Sequence, residues 1–194
     1  MNTPNNITLV RILMIPIIIF FYLTNFFSAT KLVSLALLII AEATDFLDGY
    51  LARKNNQVTN LGKFLDPIAD KVLTMASLLL IVVDNTIPAP YGVLFAIIIL
   101  TREFVISAFR QIAATKNFVM AADKWGKIKT IVTDIAIPVY FFYSYILEYQ
   151  VFNDTVITVF GYVSFALICL ATLLTIISGL NYLIKNKKVL KDND

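Results

Sequence analysis

The sequence contains no histidine and a single cysteine, Cys169. Without imidazole there is no histidine general base, no serine–histidine pair and no histidine-ligated zinc. One thiol cannot close an intramolecular disulfide, and there is no Cys-x-x-Cys pair for a metal or redox centre. Charge is scarce as well. Asp, Glu, Lys and Arg make up 15% of the chain, against about 25% in soluble domains. Chemistry is left to carboxylates, Lys, Arg, hydroxyls and any ion they recruit.

Apolar sequence is abundant: 59% of residues are hydrophobic and the mean hydropathy is +0.79. Several runs reach the roughly 20 residues a helix needs to cross about 30 Å of hydrocarbon. The expected fold is an all-α integral membrane protein with six transmembrane helices, near 8–28, 31–53, 61–83, 91–114, 126–148 and 156–184. Breakers such as NNQVTN, DNTIPAP and EYQVFND separate them. In the first segment Arg11 lies inside the apolar stretch instead of ahead of it, which reads as a retained helix and not a signal peptide. Asn5 or Asn6 is placed to cap a helix starting at Ile7, behind an N-terminal interfacial segment. There is no repeat or low-complexity run, so residues 1–194 are read as a single membrane domain.

Lysine and arginine set the orientation. With the N-terminus cytoplasmic, only Lys31 of the 16 Lys and Arg residues falls on the outer side, while Lys71 and Arg102 lie within apolar segments. Both termini are therefore expected in the cytoplasm. The tail KNKKVLKDND suits an anchor to anionic lipid.

This orientation brings a cluster of charges to one depth near the cytoplasmic surface. The second segment runs into ATDFLDGYLAR and the third opens with LGKFLDPIADK. At about 100° per residue, Asp48, Gly49, Ala52 and Arg53 fall within roughly 80° of Asp45 on one helix face. On the next helix Gly62, Asp66 and Asp70 recur every four residues and form a second stripe. The short connection makes the two helices antiparallel neighbours, so the stripes can oppose each other. Four carboxylates held this close repel unless protonated or bridged by cations. Hard divalent ions such as Mg²⁺ or Mn²⁺ prefer oxygen ligands, and a pair of them clamps a phosphoryl group in displacement reactions. Small residues at these positions equally suit helix packing, and Glu42 sits a turn deeper on a similar face.

The pattern Asp45-x2-Asp48-Gly49-x2-Ala52-Arg53-x8-Gly62-x3-Asp66-x3-Asp70 resembles the signature of the CDP-alcohol phosphotransferase family at every position. The resemblance spans essentially the whole chain. It implies a homodimeric membrane transferase of phospholipid biosynthesis that releases CMP from a CDP-linked donor and uses two divalent cations, Mg²⁺ or Mn²⁺. Carried over by position, Asp45 and Asp66 bridge both metals, Asp48 completes one site and Asp70 the other. Asp70 is also the implied catalytic base. Donor contacts fall on Gly49, Ala52, Arg53, Thr59 and Gly62, joined by Asn5 and Thr8 of the opening PNNITLVR.

Two further stretches bear on the acceptor, TREFVISAFRQ and KWGKIKT. Arg102, Arg110, Lys127 and Lys129 are candidates for one anion pocket, although basic residues at an inner interface also simply obey the orientation rule. Together with LDPIADK, these stretches are similar to the branch of the family that takes CDP-diacylglycerol as donor and sn-glycerol 3-phosphate as acceptor. That branch implies a bacterial cytoplasmic membrane, an active site near its inner face, membrane lipids as surroundings and no nucleic acid. Phosphatidylglycerol, inositol phosphate and serine stay open as acceptors. A cation transporter is the alternative from another class, but it places its carboxylates near the midplane, often on broken helices.

Overall fold

The computed structural model of the 194-residue chain describes residues 3–54, 60–115 and 124–187, and within these all side chains except those of 3–5, 45–54, 60, 61, 63, 64 and 89. The described residues form six helices: α1 (Thr3–Leu23), α2 (Thr30–Lys54), α3 (Asn60–Asp84), α4 (Ala89–Thr115), α5 (Lys124–Tyr149) and α6 (Asp154–Lys185). They fall on the expected segments to within a few residues, except at the start. α1 is already helical at Thr3, so Asn5 lies in its first turn instead of capping a helix that begins at Ile7. Pro4 belongs in such a first turn, where a missing N–H costs nothing. The last residue of α3 is followed by Asn85 at φ 53°, and α5 by Gln150 at φ 49°, the left-handed conformation that closes helices. Asn153 caps α6 by accepting from the Val156 N–H at 3.0 Å.

Among the described residues four helices are long and apolar enough to cross a membrane: α1, α4, α5 and α6. α2 and α3 are interrupted by charge, Glu42 in α2 and Asp66, Asp70 and Lys71 in α3, and do not meet that measure. Large side chains such as Leu13, Val83, Tyr162 and Ile184 are more than half exposed, a surface suited to lipid and costly in water. Because lipid tails are as apolar as leucine, such helices associate through close packing and hydrogen bonds. α1 packs on α2 and α3, α5 on α6 and α2, and α4 on α6 and α3. The centre holds Ile18, Leu38, Tyr140 and Phe141, with the Tyr22 and Phe141 rings 4.5 Å apart. Buried hydroxyls return to backbone carbonyls: Ser34 donates across to Ile18 O at 2.8 Å, and Thr175 to Ala171 O at 2.7 Å.

An ionic network ties α2, α3 and α5 together where α2 begins and α3 and α5 end. Lys31 Nζ donates to Asp84 Oδ1 at 2.8 Å, to Ser144 Oγ at 2.7 Å and to Glu148 Oε2 at 2.6 Å. The other Asp84 oxygen accepts from Thr86, Ser144 and Tyr140 at 2.6, 2.8 and 3.0 Å. The carboxylates of the sequence pattern lie toward the opposite end, on the last turns of α2 and the first half of α3.

Candidate active site

Asp66 and Asp70 stand one turn apart on α3 and so share a face. Pro67, between them, lines the same cavity as Asp70. Asp66 is half-buried and accepts a hydrogen bond from Thr8 Oγ1 at 2.7 Å. Thr8 and Arg11 of α1 are fully buried. In this way an uncharged donor from the first helix orients one carboxylate of the third. Such a bond to an ionised group is worth about 1.5–3 kcal/mol.

Asp70 reaches a large cavity between α3, α4 and α5, with a volume of about 810 Å³. Lys71, Arg102, Arg110 and Lys127 line it with positive charge, and Asp70 and Glu103 with negative charge. The volume lies in the roughly 300–1,000 Å³ range of small-molecule sites. Four cations against two carboxylates suit an anionic ligand, and Asp70 can meet a hydroxyl that such a ligand brings.

Three of the four basic residues expected to gather thus meet around one cavity. Lys129 does not line it. It is buried, and its ammonium is bound by the Glu103 carboxylate. Glu103 also accepts from Arg102 Nη1 at 3.3 Å. On the far side of Asp70 a cavity of about 40 Å³ is lined by Arg11, Glu42, Ser77 and Asp134.

Gly62 is buried on α3. Thr59 lies outside the described residues, as do the side chains of Asn5, Asp45, Asp48, Ala52 and Arg53, although α2 carries the last four and Gly49 along its final turns. Among the described residues no three His, Cys, Asp or Glu gather as a metal group. The donor chemistry nevertheless fits hard cations. The chain has no histidine, and Asp66 and Asp70 present two carboxylates one turn apart.

Comparison with protein families matches residues 1–177 to CDP-alcohol phosphatidyltransferase. The chain belongs to this family. Among its relatives is the CDP-diacylglycerol–glycerol-3-phosphate 3-phosphatidyltransferase of Bacillus subtilis (strain 168), 37% identical with 100% of this chain and 99% of the relative covered. Proteins of the same name from Haemophilus influenzae and Rickettsia prowazekii (strain Madrid E) are 36% and 35% identical, covering 99% and 93% of this chain and 97% and 93% of their own.

For a CDP-alcohol phosphatidyltransferase, the site holds residues that sequence reasoning passed over. Asp134 of α5 lines the 40 Å³ cavity and a second, of about 30 Å³, that Asp70 shares with Glu103 and Lys129. Its signal was available, since a carboxylate inside KTIVTDIAIPVYFF is an ionisable group in an apolar helix. Gly179 and Tyr182 of α6, which touch Arg102 and Arg110, gave no such signal, because the contact joins helices distant in sequence.

Proposed function

We propose that this chain transfers the phosphatidyl group from CDP-diacylglycerol to sn-glycerol 3-phosphate, giving phosphatidylglycerophosphate and CMP. The observation that carries the reading is the meeting of Asp70 with Arg102, Arg110 and Lys127 around one cavity. Relatives named for this reaction, aligned over the whole chain, support it.

In this reading Asp45, Asp48, Asp66 and Asp70 hold two divalent cations, Mg²⁺ or Mn²⁺. When bound, these neutralise charge on the attacking and leaving oxygens of a phosphoryl displacement. Thr8 keeps the Asp66 carboxylate turned toward the site through its 2.7 Å bond. Asn5, Thr8, Gly49, Ala52, Arg53, Thr59 and Gly62 receive the CDP part of the donor, whose acyl chains lie in lipid. Arg102, Arg110 and Lys127 take the acceptor's phosphate, with Lys129 behind them, and present the glycerol 1-hydroxyl to Asp70. The Asp70 carboxylate accepts the hydroxyl proton as that oxygen bonds to the phosphorus bearing diacylglycerol. The bond from that phosphorus to the oxygen of CMP breaks, and CMP leaves.

The whole of residues 1–194 acts as one domain, with all six helices crossing a bacterial cytoplasmic membrane and both termini inside, as the lysine and arginine distribution favours. In α2 and α3 the charges that such a crossing carries inward find partners, as Asp66 does in Thr8 and Asp84 in Lys31. By family resemblance the assembly is a homodimer.

The test is purified protein in detergent with CDP-diacylglycerol, Mg²⁺ or Mn²⁺, and each labelled acceptor in turn: glycerol 3-phosphate, inositol 1-phosphate, serine and phosphatidylglycerol. Product and CMP with glycerol 3-phosphate alone, lost in Asp66→Asn and Asp70→Asn, are expected. Turnover with a different acceptor instead would keep the family and refute the acceptor assignment.

A further inference from the structure

α6 supplies none of the residues expected at the site, yet two of its side-chain positions touch the two α4 arginines that line the cavity. At Gly179 the α6 backbone is bare and buried. A Cβ built there would stand 3.1 Å from Arg102 Cγ, closer than ordinary van der Waals contact. The Arg102 stem therefore lies against α6, and a methyl at this position would push it aside by a few tenths of an ångström. Its far end passes Gly126 in the first turn of α5, where an added Cβ would be 3.5 Å from Nη2. Glu103 takes Nη1. The stem is thus set by Gly179, and the guanidinium is held at one end by the Glu103 carboxylate.

Three residues further along α6, on the same face, Tyr182 is buried to 2% exposure. Its hydroxyl accepts from Arg110 Nε at 3.1 Å, and its ring lies 5.4 Å from Arg110 Cζ. The ring itself is held among Ile106, Phe109 and Ala113 of α4. Arg110 is otherwise exposed, and an exposed arginine samples many rotamers. Holding Nε fixes the plane of the fork and leaves the terminal amino groups for a ligand.

We infer that α6 sets the acceptor pocket of this enzyme: Gly179 and Tyr182 are positioning residues that fix the reach of Arg102 and the orientation of Arg110 toward a phosphate monoester. The inference rests on the reading of the cavity as the acceptor site. Neither residue touches the reacting atoms. Their effect belongs to acceptor affinity, and the donor side is untouched.

The experiment measures KM for glycerol 3-phosphate and for CDP-diacylglycerol, with kcat, in wild type, Gly179→Ala, Tyr182→Phe, Arg110→Ala and the Arg110→Ala/Tyr182→Phe pair. Tyr182→Phe keeps the packed ring and removes one hydrogen bond to a charged group. It should raise the acceptor KM by about five- to tenfold, with the donor KM unchanged. In the Arg110→Ala background the same change should add nothing further. Gly179→Ala should raise the acceptor KM by about tenfold, the cost of moving the arginine stem. Alanine favours helix over glycine, so a thermal midpoint at or above wild type would set lost folding aside as the cause.

Unchanged acceptor KM in both variants of an active enzyme would overturn this inference alone. So would donor and acceptor constants that rise together, or effects of Arg110→Ala and Tyr182→Phe that simply add. If the wild type turns over no glycerol 3-phosphate, the proposed function falls. Protection from thermal unfolding by inorganic phosphate then decides: weaker protection in Tyr182→Phe than in wild type upholds the inference, and equal protection refutes it.

Discussion

Replacing Lys31 by methionine tests what holds the bundle together away from the site. Lys31 is 7% exposed. Its ammonium joins Asp84, Glu148 and Ser144, and it lies 5.0 Å from the centre of the Tyr22 ring. Methionine keeps the length and the apolar stem, so little cavity is opened and the loss is one of charge. Two carboxylates would then face each other without a cation. Removing one member of a buried pair costs about 3–5 kcal/mol. At about 2–4 °C per kcal/mol for a chain of this size, the thermal midpoint should fall by about 6–20 °C.

Two companions make the reasoning refutable. Glu148 is the more exposed carboxylate, at 29% against 10% for Asp84, and Glu148→Gln should cost about 0–1 kcal/mol. Adding Asp84→Asn to Lys31→Met removes the orphaned charge while keeping an oxygen for Ser144, Thr86 and Tyr140. The double variant should recover part of the loss. Thermal unfolding in one detergent ranks the three. A Lys31→Met midpoint within about 2 °C of Glu148→Gln, or a double variant less stable than Lys31→Met, would refute the claim that charge balance supplies the stability. Turnover per folded molecule should stay within about twofold, because the clamp and the carboxylate site occupy opposite ends of the bundle.

Thr8→Val keeps shape and burial but removes the bond to Asp66, and should lower kcat by about ten- to a hundredfold in single-turnover or saturated assays, with the thermal midpoint held. Glu103→Gln strips the counter-charge from buried Lys129 and from Arg102, and should destabilise by about 3–5 kcal/mol, read as a lower midpoint that added inorganic phosphate partly restores. Chelation with EDTA should abolish CMP release, and Mg²⁺ or Mn²⁺ should restore it, whereas recovery without added divalent ion would sink the two-cation reading.

The parts legible in sequence were those a single helix carries by itself. Apolar length located α2 through α6 to within a few residues, and four-residue spacing put Asp66 and Asp70 on one face before any neighbour was known. Apolar length marks what lies in lipid, however, and says little about how far a helix continues into polar sequence, which is why α1 reaches Thr3 through PNNIT. Lys127 and Lys129 show the same limit within one motif. Residues two apart on a helix point in widely different directions, so one reaches the cavity while the other is buried against Glu103. Helical geometry alone argued against a shared pocket wall for that pair. No such rule reaches Gly179 or Tyr182, whose significance exists only where α6 meets α4. The cavity beside Asp70 is lined from α3, α4 and α5, with α6 packed behind the α4 arginines, so its chemistry lay open in the sequence as residue types, and its geometry only in the packing between helices.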